Sequence, residues 1–257
     1  MKLALGRVYP GRPGTRADGM HAKRVQQRNT AAAPETASDG QLVHYPIDPT
    51  ASPPIGGAIK LGFDVTGAVI ALMVLFPLLC LIALIVKLSG AGPALYRHPR
   101  IGQNGRMFSC WKFRTMVVNS DDVLRRHIVA NPDAASEWEQ TRKLKQDPRI
   151  TPIGLVLRKS SADELPQLFN IIRGEMSFVG PRPIVPAEVR KYGPYINDYL
   201  RARPGLTGAW QVSGRNDTDY ETRVQLDRAY VQNWSLWRDV IIIAKTVRVV
   251  LATRGSY

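Results

Sequence analysis

Residues Val65 to Val86 form an uninterrupted apolar run, and this run limits the folds open to the chain more than any other feature. The run carries no charged side chain and is bracketed by Asp64 and Lys87. As an α-helix of about 22 residues it would measure ~33 Å, which is close to the thickness of a bilayer core. It begins too deep in the chain to be a signal peptide. The sequence therefore predicts a helix that enters a membrane.

Pro77 lies near the middle of this run and leaves two topologies open. Proline removes a backbone N–H and clashes with the preceding turn, so it kinks or breaks a helix, although spanning helices also tolerate it. Cationic residues flank the run on both sides, and positive charge favours the cytoplasmic side of a membrane. A helix that is broken at Pro77 and re-enters the same leaflet keeps both flanks inside. The pattern favours this re-entrant helix, with a spanning helix as the alternative.

The composition describes a basic chain of 257 residues that is able to fold. There are 35 Lys and Arg against 21 Asp and Glu, a formal charge of +14, so an anionic partner is expected: nucleic acid, lipid headgroups or a phosphorylated substrate. A hydrophobic content of 44% excludes disorder over the full length, and a charged content of 22% excludes a polytopic transporter. Two Cys and four scattered His indicate neither a disulfide framework nor a zinc site.

The chain divides into three regions by composition. Residues 1–57 lack an apolar period and are predicted to be a flexible basic tail, residues 58–88 contain the membrane helix, and residues 89–257 are predicted to be a mixed α/β domain. The elements expected in the third region are a β-hairpin at 100–116, a polar helix at 120–146, a helix from Leu165 to Arg173 stopped by Gly174, loops at 180–183 and 203–208, and a helix from Tyr230 to Leu251.

Two of these predictions depend on particular residues. Asn104-Gly105 is typical of a type I′ turn, in which both central residues need positive φ, and so indicates the hairpin. The last helix combines Trp234 and Trp237 with interspersed cations such as Arg238. That composition is typical of a helix lying in the membrane interface, although a plain core helix fits it equally well.

The densest set of polar side chains lies at residues 147–167 and contains the adjacent carboxylates Asp163 and Glu164. One interpretation is structural: Asp163 caps a helix, Pro166 occupies its third position, where no N–H is needed, and Glu164 is a first-turn acid. The other is chemical: Arg158 adds positive charge beside a phosphate-attracting helix N-terminus, Asp163 attacks phosphorus, and Glu164 holds Mg²⁺. Spacing alone favours the structural interpretation.

Three cations outside this segment also have two interpretations each. Lys112 and Arg114 alternate with aromatic residues, so they would share one face of a strand, either as anion ligands or as a solvated face. Arg182 lies between two prolines on a stiff loop, which suits an anion clamp or a surface arginine. Gly102-x-x-Gly105 is read as a turn, because it lacks the Lys-Ser/Thr of a phosphate-binding P-loop.

Several motifs, in this order along the chain, resemble the bacterial sugar transferase family, the monotopic phosphoglycosyl transferases that start exopolysaccharide and glycan assembly. They are Lys112-Phe-Arg-Thr-Met116, Asp147-Pro-Arg-Ile-Thr151, Asp163-Glu-Leu-Pro-Gln167, Gly180-Pro-Arg-Pro183, Arg203-Pro-Gly-Leu-Thr-Gly208, Trp210-Gln-Val-Ser-Gly-Arg215 and Asn233-Trp-Ser-Leu-Trp237. They cover about residues 58–257. Any one of them alone is a weak signal, whereas the set is specific.

The resemblance implies a fold and a location. The fold class would be α/β, in a monotopic membrane protein with a re-entrant N-terminal helix broken at Pro77, a small cytosolic α/β catalytic domain at 89–257 and interfacial amphipathic helices. Phe76 precedes Pro77 where some members have Ser, so no hydroxyl there satisfies the broken backbone. The protein would lie on the cytoplasmic face of the bacterial inner membrane, with membrane lipid as a partner and a homodimer as a possible assembly.

The resemblance also implies a reaction. A hexose 1-phosphate, with galactose or glucose expected, would move from a UDP-sugar to polyprenyl (undecaprenyl) phosphate with release of UMP. Asp163 would be the nucleophile that forms a covalent phosphosugar, and Glu164 would bind Mg²⁺. The candidate residues for binding phosphate or substrate are Arg158, Arg182, Lys112, Arg114, Arg149 and Gln167.

A hypothesis from another class is a membrane-tethered anion- or nucleic-acid-binding module without catalysis. It would bind DNA or RNA with a steep salt dependence and would not need Asp163. The cations are interspersed with acids and no reader motif is present, so no nucleic-acid partner is expected. Two further alternatives are a transferase that moves only the sugar, which would release UDP, and a scaffold, which would tolerate the loss of Asp163.

Overall fold

The computed structural model describes residues 54–141, 144–213 and 219–251. Within these ranges the fold is mixed α/β and mostly helical, and it begins with one long apolar helix, α1 (Gly57–Leu88). The predicted mixed α/β class is therefore confirmed. Most of the tail predicted for residues 1–57 lies outside the described residues.

The folded region reaches further towards the N-terminus than the predicted boundary at residue 57. Ile55 is buried in an apolar cluster with Val179 and Tyr230. Its N–H also donates a hydrogen bond to the carbonyl of Arg201 at 3.3 Å. Packing against the domain therefore begins two residues before α1.

The predicted hairpin is confirmed as β1 (Leu95–Ile101) and β2 (Met107–Phe113), which pair antiparallel. Asn104 and Gly105 have φ of 58° and 71°, and the N–H of Arg106 donates to the carbonyl of Gln103 at 3.2 Å. Positive φ at both central residues together with this hydrogen bond is the type I′ geometry that Asn-Gly favours.

Two helices, α2 (Ser120–Ala130) and α3 (Pro132–Thr141), replace the single polar helix predicted for 120–146. Asn131 between them is extended, with φ −134° and ψ 98°. A residue before proline is driven out of the helical region, and proline itself suits the first position of a new helix. The single-helix prediction was wrong because it overlooked the break that Pro132 encodes.

The next segment carries α4 (Pro152–Ser160), whose start is capped by the Oγ1 of Thr151 as it accepts the N–H of Gly154 at 3.0 Å. A 3₁₀ turn at Ala162–Glu164 then leads to α5 (Gln167–Ile172). Gly174 has φ 71° and ends this region as predicted, because a left-handed residue commonly terminates a helix.

Two short parallel strands, β3 (Ser177–Val179) and β4 (Gly205–Thr207), pair with Ser177 opposite Gly205. The helices α6 (Val189–Tyr192) and α7 (Ile196–Leu200) lie between them in the chain. The prediction that 203–208 is a loop was therefore wrong, because a three-residue strand is too short to show an alternating pattern.

The helix predicted from Tyr230 to Leu251 is divided between α8 (Tyr220–Gln232) and α9 (Leu236–Leu251). Asn233 leaves the helical region between them, with φ −117° and ψ 33°. The buried face of α9 packs on the domain, which fits the core-helix interpretation. The exposed face carries the mixture that predicted an interfacial helix, namely Trp237, Arg238, Ile241, Lys245, Val247 and Arg248. Contact of this face with lipid stays a prediction.

The helix α1 continues through Pro77 as one element of 32 residues, so the predicted break is not confirmed. It is long and apolar enough to cross a bilayer. One stripe of it is nevertheless buried against the domain along its whole length: Lys60, Asp64, Ala68, Leu79, Ile82 and Val86. The opposite face is apolar and exposed: Ile59, Ile70, Met73, Val74, Phe76, Leu81, Leu84 and Leu88. The helix therefore lies alongside the domain and does not project away from it.

A buried polar cluster joins the start of α1 to α8 and α9. The Nζ of Lys60 lies 2.6 Å from Oδ2 of Asp239 and 3.8 Å from Oδ2 of Asp64. The hydroxyl of Tyr230 donates to Oδ1 of Asp239 at 2.7 Å, and the indole N–H of Trp234 donates to its Oδ2 at 3.1 Å. These bonds satisfy charges that would be costly to bury alone, and they fix α1 relative to the domain.

Candidate active site

Asp163 and Glu164 lie in the 3₁₀ turn between α4 and α5. Ser161 has a left-handed φ of 57°, and its carbonyl accepts the N–H of Glu164 at 3.2 Å. The predicted helix cap at Asp163 was wrong, because α5 begins at Gln167 and is preceded by Pro166, with no side-chain cap. The turn places these two acids between helices, where they are free of a capping role.

The carboxyl of Asp163 is buried, with 8% of the residue exposed. Burial disfavours its charged form and is the main reason that its pKa rises to about 6, and Glu164 adds to the effect. The positive charges of Lys112 and Arg158 oppose this rise. Asp163 is therefore ionised at neutral pH and incompletely solvated, which suits a carboxylate nucleophile.

Glu164 is paired with a cation from the hairpin. The Nζ of Lys112 lies 2.5 Å from Oε1 of Glu164. Burial opposes ionisation of Glu164, but the nearby Lys112 and Arg182 outweigh it and hold its pKa below the usual value. Glu164 therefore stays a carboxylate over the whole physiological pH range.

The donor set can be compared with the needs of a magnesium ion. Within the described ranges, no group of three or more His, Cys, Asp and Glu side chains comes together as a metal cluster. Mg²⁺ at phosphate-transfer sites is commonly held by one or two carboxylates, with substrate phosphates and water completing its coordination. Glu164 supplies one ionised carboxylate, so the residues present fit a magnesium ion that arrives with a diphosphate.

A small cleft that opens to solvent lies beside this turn. Its lining residues are Arg100, Cys110, Lys112, Glu164, Gln167, Arg182, Pro183, Gly205, Leu206 and Gln211. Four predicted site residues therefore meet at one cleft: Lys112, Glu164, Gln167 and Arg182. Three cations and one carboxylate in a small volume favour an anionic ligand with several charges.

Arg100 is a lining residue that sequence reasoning missed. Its Nη1 donates to the carbonyl of Pro183 at 3.0 Å, and its Nη2 lies 3.1 Å from Nδ1 of His98. Burial, together with the charges of Arg100 and Lys112, lowers the pKa of His98 to about 4, so the neutral ring accepts this bond. The hairpin register could have indicated Arg100, because counting outward from the Asn104-Gly105 turn places it on the same face as Lys112.

Arg158 lies near Asp163 but does not line the cleft. It is in the last turn of α4, and its Nε donates to Oγ1 of Thr115 at 3.0 Å. Its charge lowers the pKa of Asp163. Arg158 is therefore close to the acidic pair, as predicted, but it acts on Asp163 from α4 and not from the cleft.

Two predicted residues are used elsewhere in the fold. The guanidinium of Arg114 donates to the carbonyls of Val86, Gly90 and Ala91 at 2.8, 2.9 and 2.5 Å, so it caps the end of α1. Arg149 forms an ion pair with Asp147 at 2.6 Å and lies over the ring of Trp138. Neither side chain lines the cleft. Residues 214 and 215 of the matched motif lie outside the described residues.

Comparison with known proteins identifies the family of the chain. The family model described as "Bacterial sugar transferase" matches residues 55–253. Exopolysaccharide production protein ExoY of Rhizobium meliloti is 55% identical over 222 residues, covering 86% of this chain and 98% of that protein. Undecaprenyl-phosphate galactose phosphotransferase of Salmonella typhimurium is 50% identical over 199 residues, or 77% of this chain and 42% of its own length.

A third relative has a name that describes its reaction. The UDP-glucose:undecaprenyl-phosphate glucose-1-phosphate transferase of Escherichia coli is 36% identical over 223 residues, which cover 82% of this chain and 45% of that protein. The chain belongs to the bacterial sugar transferase family. Within that family it is a phosphoglycosyl transferase, an enzyme that transfers a sugar phosphate.

Proposed function

We propose that the protein transfers a hexose 1-phosphate from a UDP-sugar to undecaprenyl phosphate and releases UMP, as the first membrane step of exopolysaccharide synthesis. The observation that carries this proposal is the buried, ionisable Asp163, whose neighbour Glu164 lines a cleft together with Arg100, Lys112 and Arg182. The names of the relatives from Salmonella typhimurium and Escherichia coli support the lipid acceptor, with galactose and glucose as the candidate hexoses.

The reaction proceeds in two displacements at one phosphorus atom. A carboxylate oxygen of Asp163 attacks the phosphorus that carries the hexose, a new O–P bond forms, and the bond to the bridging oxygen breaks so that UMP leaves. A phosphate oxygen of the polyprenyl phosphate then attacks the same phosphorus and releases the Asp163 carboxylate unchanged. The covalent step lets the soluble donor and the membrane acceptor use the site in turn.

The other residues bind and orient the donor. Lys112 and Arg182 neutralise the diphosphate and the charge that develops on the departing UMP, in a cleft where burial strengthens these interactions. Glu164 would hold Mg²⁺, which supplies positive charge to the diphosphate when it is bound.

The packing of α1 supports a topology in which both of its ends stay on the cytoplasmic face of the inner membrane. Its buried stripe runs from Lys60 near the start to Val86 near the end, and both ends contact the same domain. A helix crossing the bilayer would carry one of these ends about 30 Å away from a cytosolic domain. The middle of the exposed apolar face, from Ile70 to Leu84, then lies in the leaflet, and the two ends of the helix stay with the basic flanks at the headgroups.

The covalent intermediate provides the direct test. The purified protein is incubated with MgCl₂ and UDP-galactose or UDP-glucose without lipid, digested and examined by mass spectrometry. A hexose phosphate on the peptide that contains Asp163 is expected, absent from Asp163→Asn and present in Asp121→Asn, which alters an exposed acid that does not line the cleft. Full transfer activity of Asp163→Asn would overturn the proposal. UDP in place of UMP as the product would indicate transfer of the sugar alone.

A further inference from the structure

A cluster built around Arg223, in the first turn of α8, shares partners with two arginines that line the cleft. Arg223 is 8% exposed, and its guanidinium carbon lies 5.0 Å from the ring centre of Trp210 and 4.9 Å from that of Tyr220. Its Nη1 is 3.7 Å from Oε1 of Glu188. The arginine is therefore held between two aromatic rings and a carboxylate, an arrangement that leaves it little freedom.

Two of the cations lining the cleft share these partners. The guanidinium of Arg182 lies 5.8 Å from the centre of the same Trp210 ring. The Nη1 of Arg100 lies 3.8 Å from Oε2 of Glu188, and this oxygen also accepts the N–H of Val185 at 3.0 Å. Trp210 thus links Arg223 to Arg182, and Glu188 links it to Arg100.

This arrangement costs free energy in the folded state. Within the part of the chain that the structure describes, Nε and Nη2 of Arg223 are buried and form no hydrogen bond. Arg100 and Arg223 share the single carboxylate of Glu188, and the charge of Arg182 also repels that of Arg100. Unsatisfied buried donors are uncommon in proteins, and here they belong to an arginine that shares Trp210 and Glu188 with two cations of the cleft, which points to a role in binding.

We propose that Arg223 is a positioning residue for the donor site: by fixing the Trp210 ring and the Glu188 carboxylate, it sets the directions in which Arg182 and Arg100 meet the diphosphate of a nucleotide sugar. The inference rests on the proposed function for its substrate class. Arg223 is not expected to touch the substrate, because the cleft is lined by the two arginines it supports and not by Arg223 itself.

The first test replaces Arg223 by lysine, which keeps the charge but loses the planar stacking group. Arg223→Lys is expected to raise KM for the UDP-sugar about tenfold, with kcat and the KM for polyprenyl phosphate nearly unchanged. Arg228→Lys is a matched control on the same helix, because Arg228 also pairs with an acid, Asp198, and lies over a ring, Tyr195, away from the cleft. It should leave the donor KM within about twofold.

A double-mutant cycle separates positioning from a general structural effect. Because Arg223 acts in part through Arg182, Arg223→Lys should weaken calorimetric binding of UDP about tenfold in the wild type and by a smaller factor in an Arg182→Ala background, where only the effect through Arg100 remains. An equal loss in both backgrounds, or no loss in the wild type, would overturn the inference. Because UDP binding needs no turnover, the result stands even where wild-type protein transfers no phosphosugar, an outcome that would refute the proposed function alone.

A second variant covers the case in which Arg223→Lys does not fold. Glu188→Gln keeps the size of the side chain and removes the charge that joins Arg223 to Arg100. Glu188→Gln should also weaken UDP binding. A thermal unfolding midpoint close to that of the wild type shows that this variant is folded. Unchanged UDP affinity in a folded Glu188→Gln variant would contradict the inference.

Discussion

The ammonium of Lys112 lies 2.5 Å from Oε1 of Glu164, and this ion pair connects the hairpin to the turn that carries Asp163. Lys112 is the partner whose charge most lowers the pKa of both acids against the effect of burial. One side chain therefore governs the charge state of the proposed nucleophile and that of the proposed metal ligand.

Replacement of Lys112 by methionine should move the pH profile of the first half-reaction. Loss of the positive charge raises the pKa of Asp163 above its value of about 6, so the acidic limb of adduct formation moves to higher pH. The rate at pH 7 should fall roughly 100-fold, because a cation beside the phosphoryl group is also lost. Rapid-quench measurement of the adduct from pH 5 to 9 checks this, with the exposed Lys145→Met as control. An acidic limb that does not move would contradict the assigned role of Lys112.

The buried charge of Asp163 should reduce the stability of the enzyme. Its folded-state pKa of about 6 lies above the ordinary 3.8, so the folded protein holds this proton more tightly than the unfolded chain does. The resulting stability is complete below pH 4 and is lost as the pH rises through 6. Asp163→Asn, which resembles the protonated acid, should therefore exceed wild type by up to about 3 kcal/mol at pH 8, with the gap closing towards pH 4. Thermal unfolding across this range measures the gap, and a gap independent of pH would contradict the assigned pKa.

Local signals in the sequence predicted those parts of the fold that local geometry determines. Asn104-Gly105 predicted the hairpin because positive φ is a property of single residues. The cap predicted at Asp163 was wrong because Ser161, with its left-handed φ, begins a separate turn before α5. A residue other than glycine rarely adopts this conformation, so the sequence does not indicate it.

The cleft depends on contacts between segments that are far apart in the sequence. Pairing of β3 with β4 brings Gly205 and Leu206 next to the loop that carries Arg182, and no periodicity in a three-residue strand predicts it. The family resemblance predicted Lys112, Glu164, Gln167 and Arg182 as site residues, from separate motifs. Only the fold shows that they share one cleft.

The buried cluster that anchors α1 should make a large contribution to stability. Lys60→Met removes the cation and leaves Asp239 and Asp64 buried without it, which should lower the free energy of unfolding by about 3–5 kcal/mol. Lys87→Met is the control at the other end of the helix, because the Lys87 ammonium is exposed and donates to the carbonyl of Gly92. Denaturant titration in detergent micelles compares the two, and equal losses would show that the cluster does not hold the helix.

Labelling of α1 tests whether both of its ends stay on one side of the membrane. Ile59 and Leu88 are 73% and 76% exposed at opposite ends of the helix, so cysteines placed there, with Cys80 and Cys110 replaced, report the two flanks. A membrane-impermeant maleimide should label both in inside-out vesicles and neither in intact spheroplasts. Met73→Cys, at the middle of the exposed apolar face, should resist labelling in both preparations because it lies in lipid. Labelling of either end in intact spheroplasts would establish a spanning helix, and the domain contacts at Lys60 and Val86 could not then form together on one side of the bilayer.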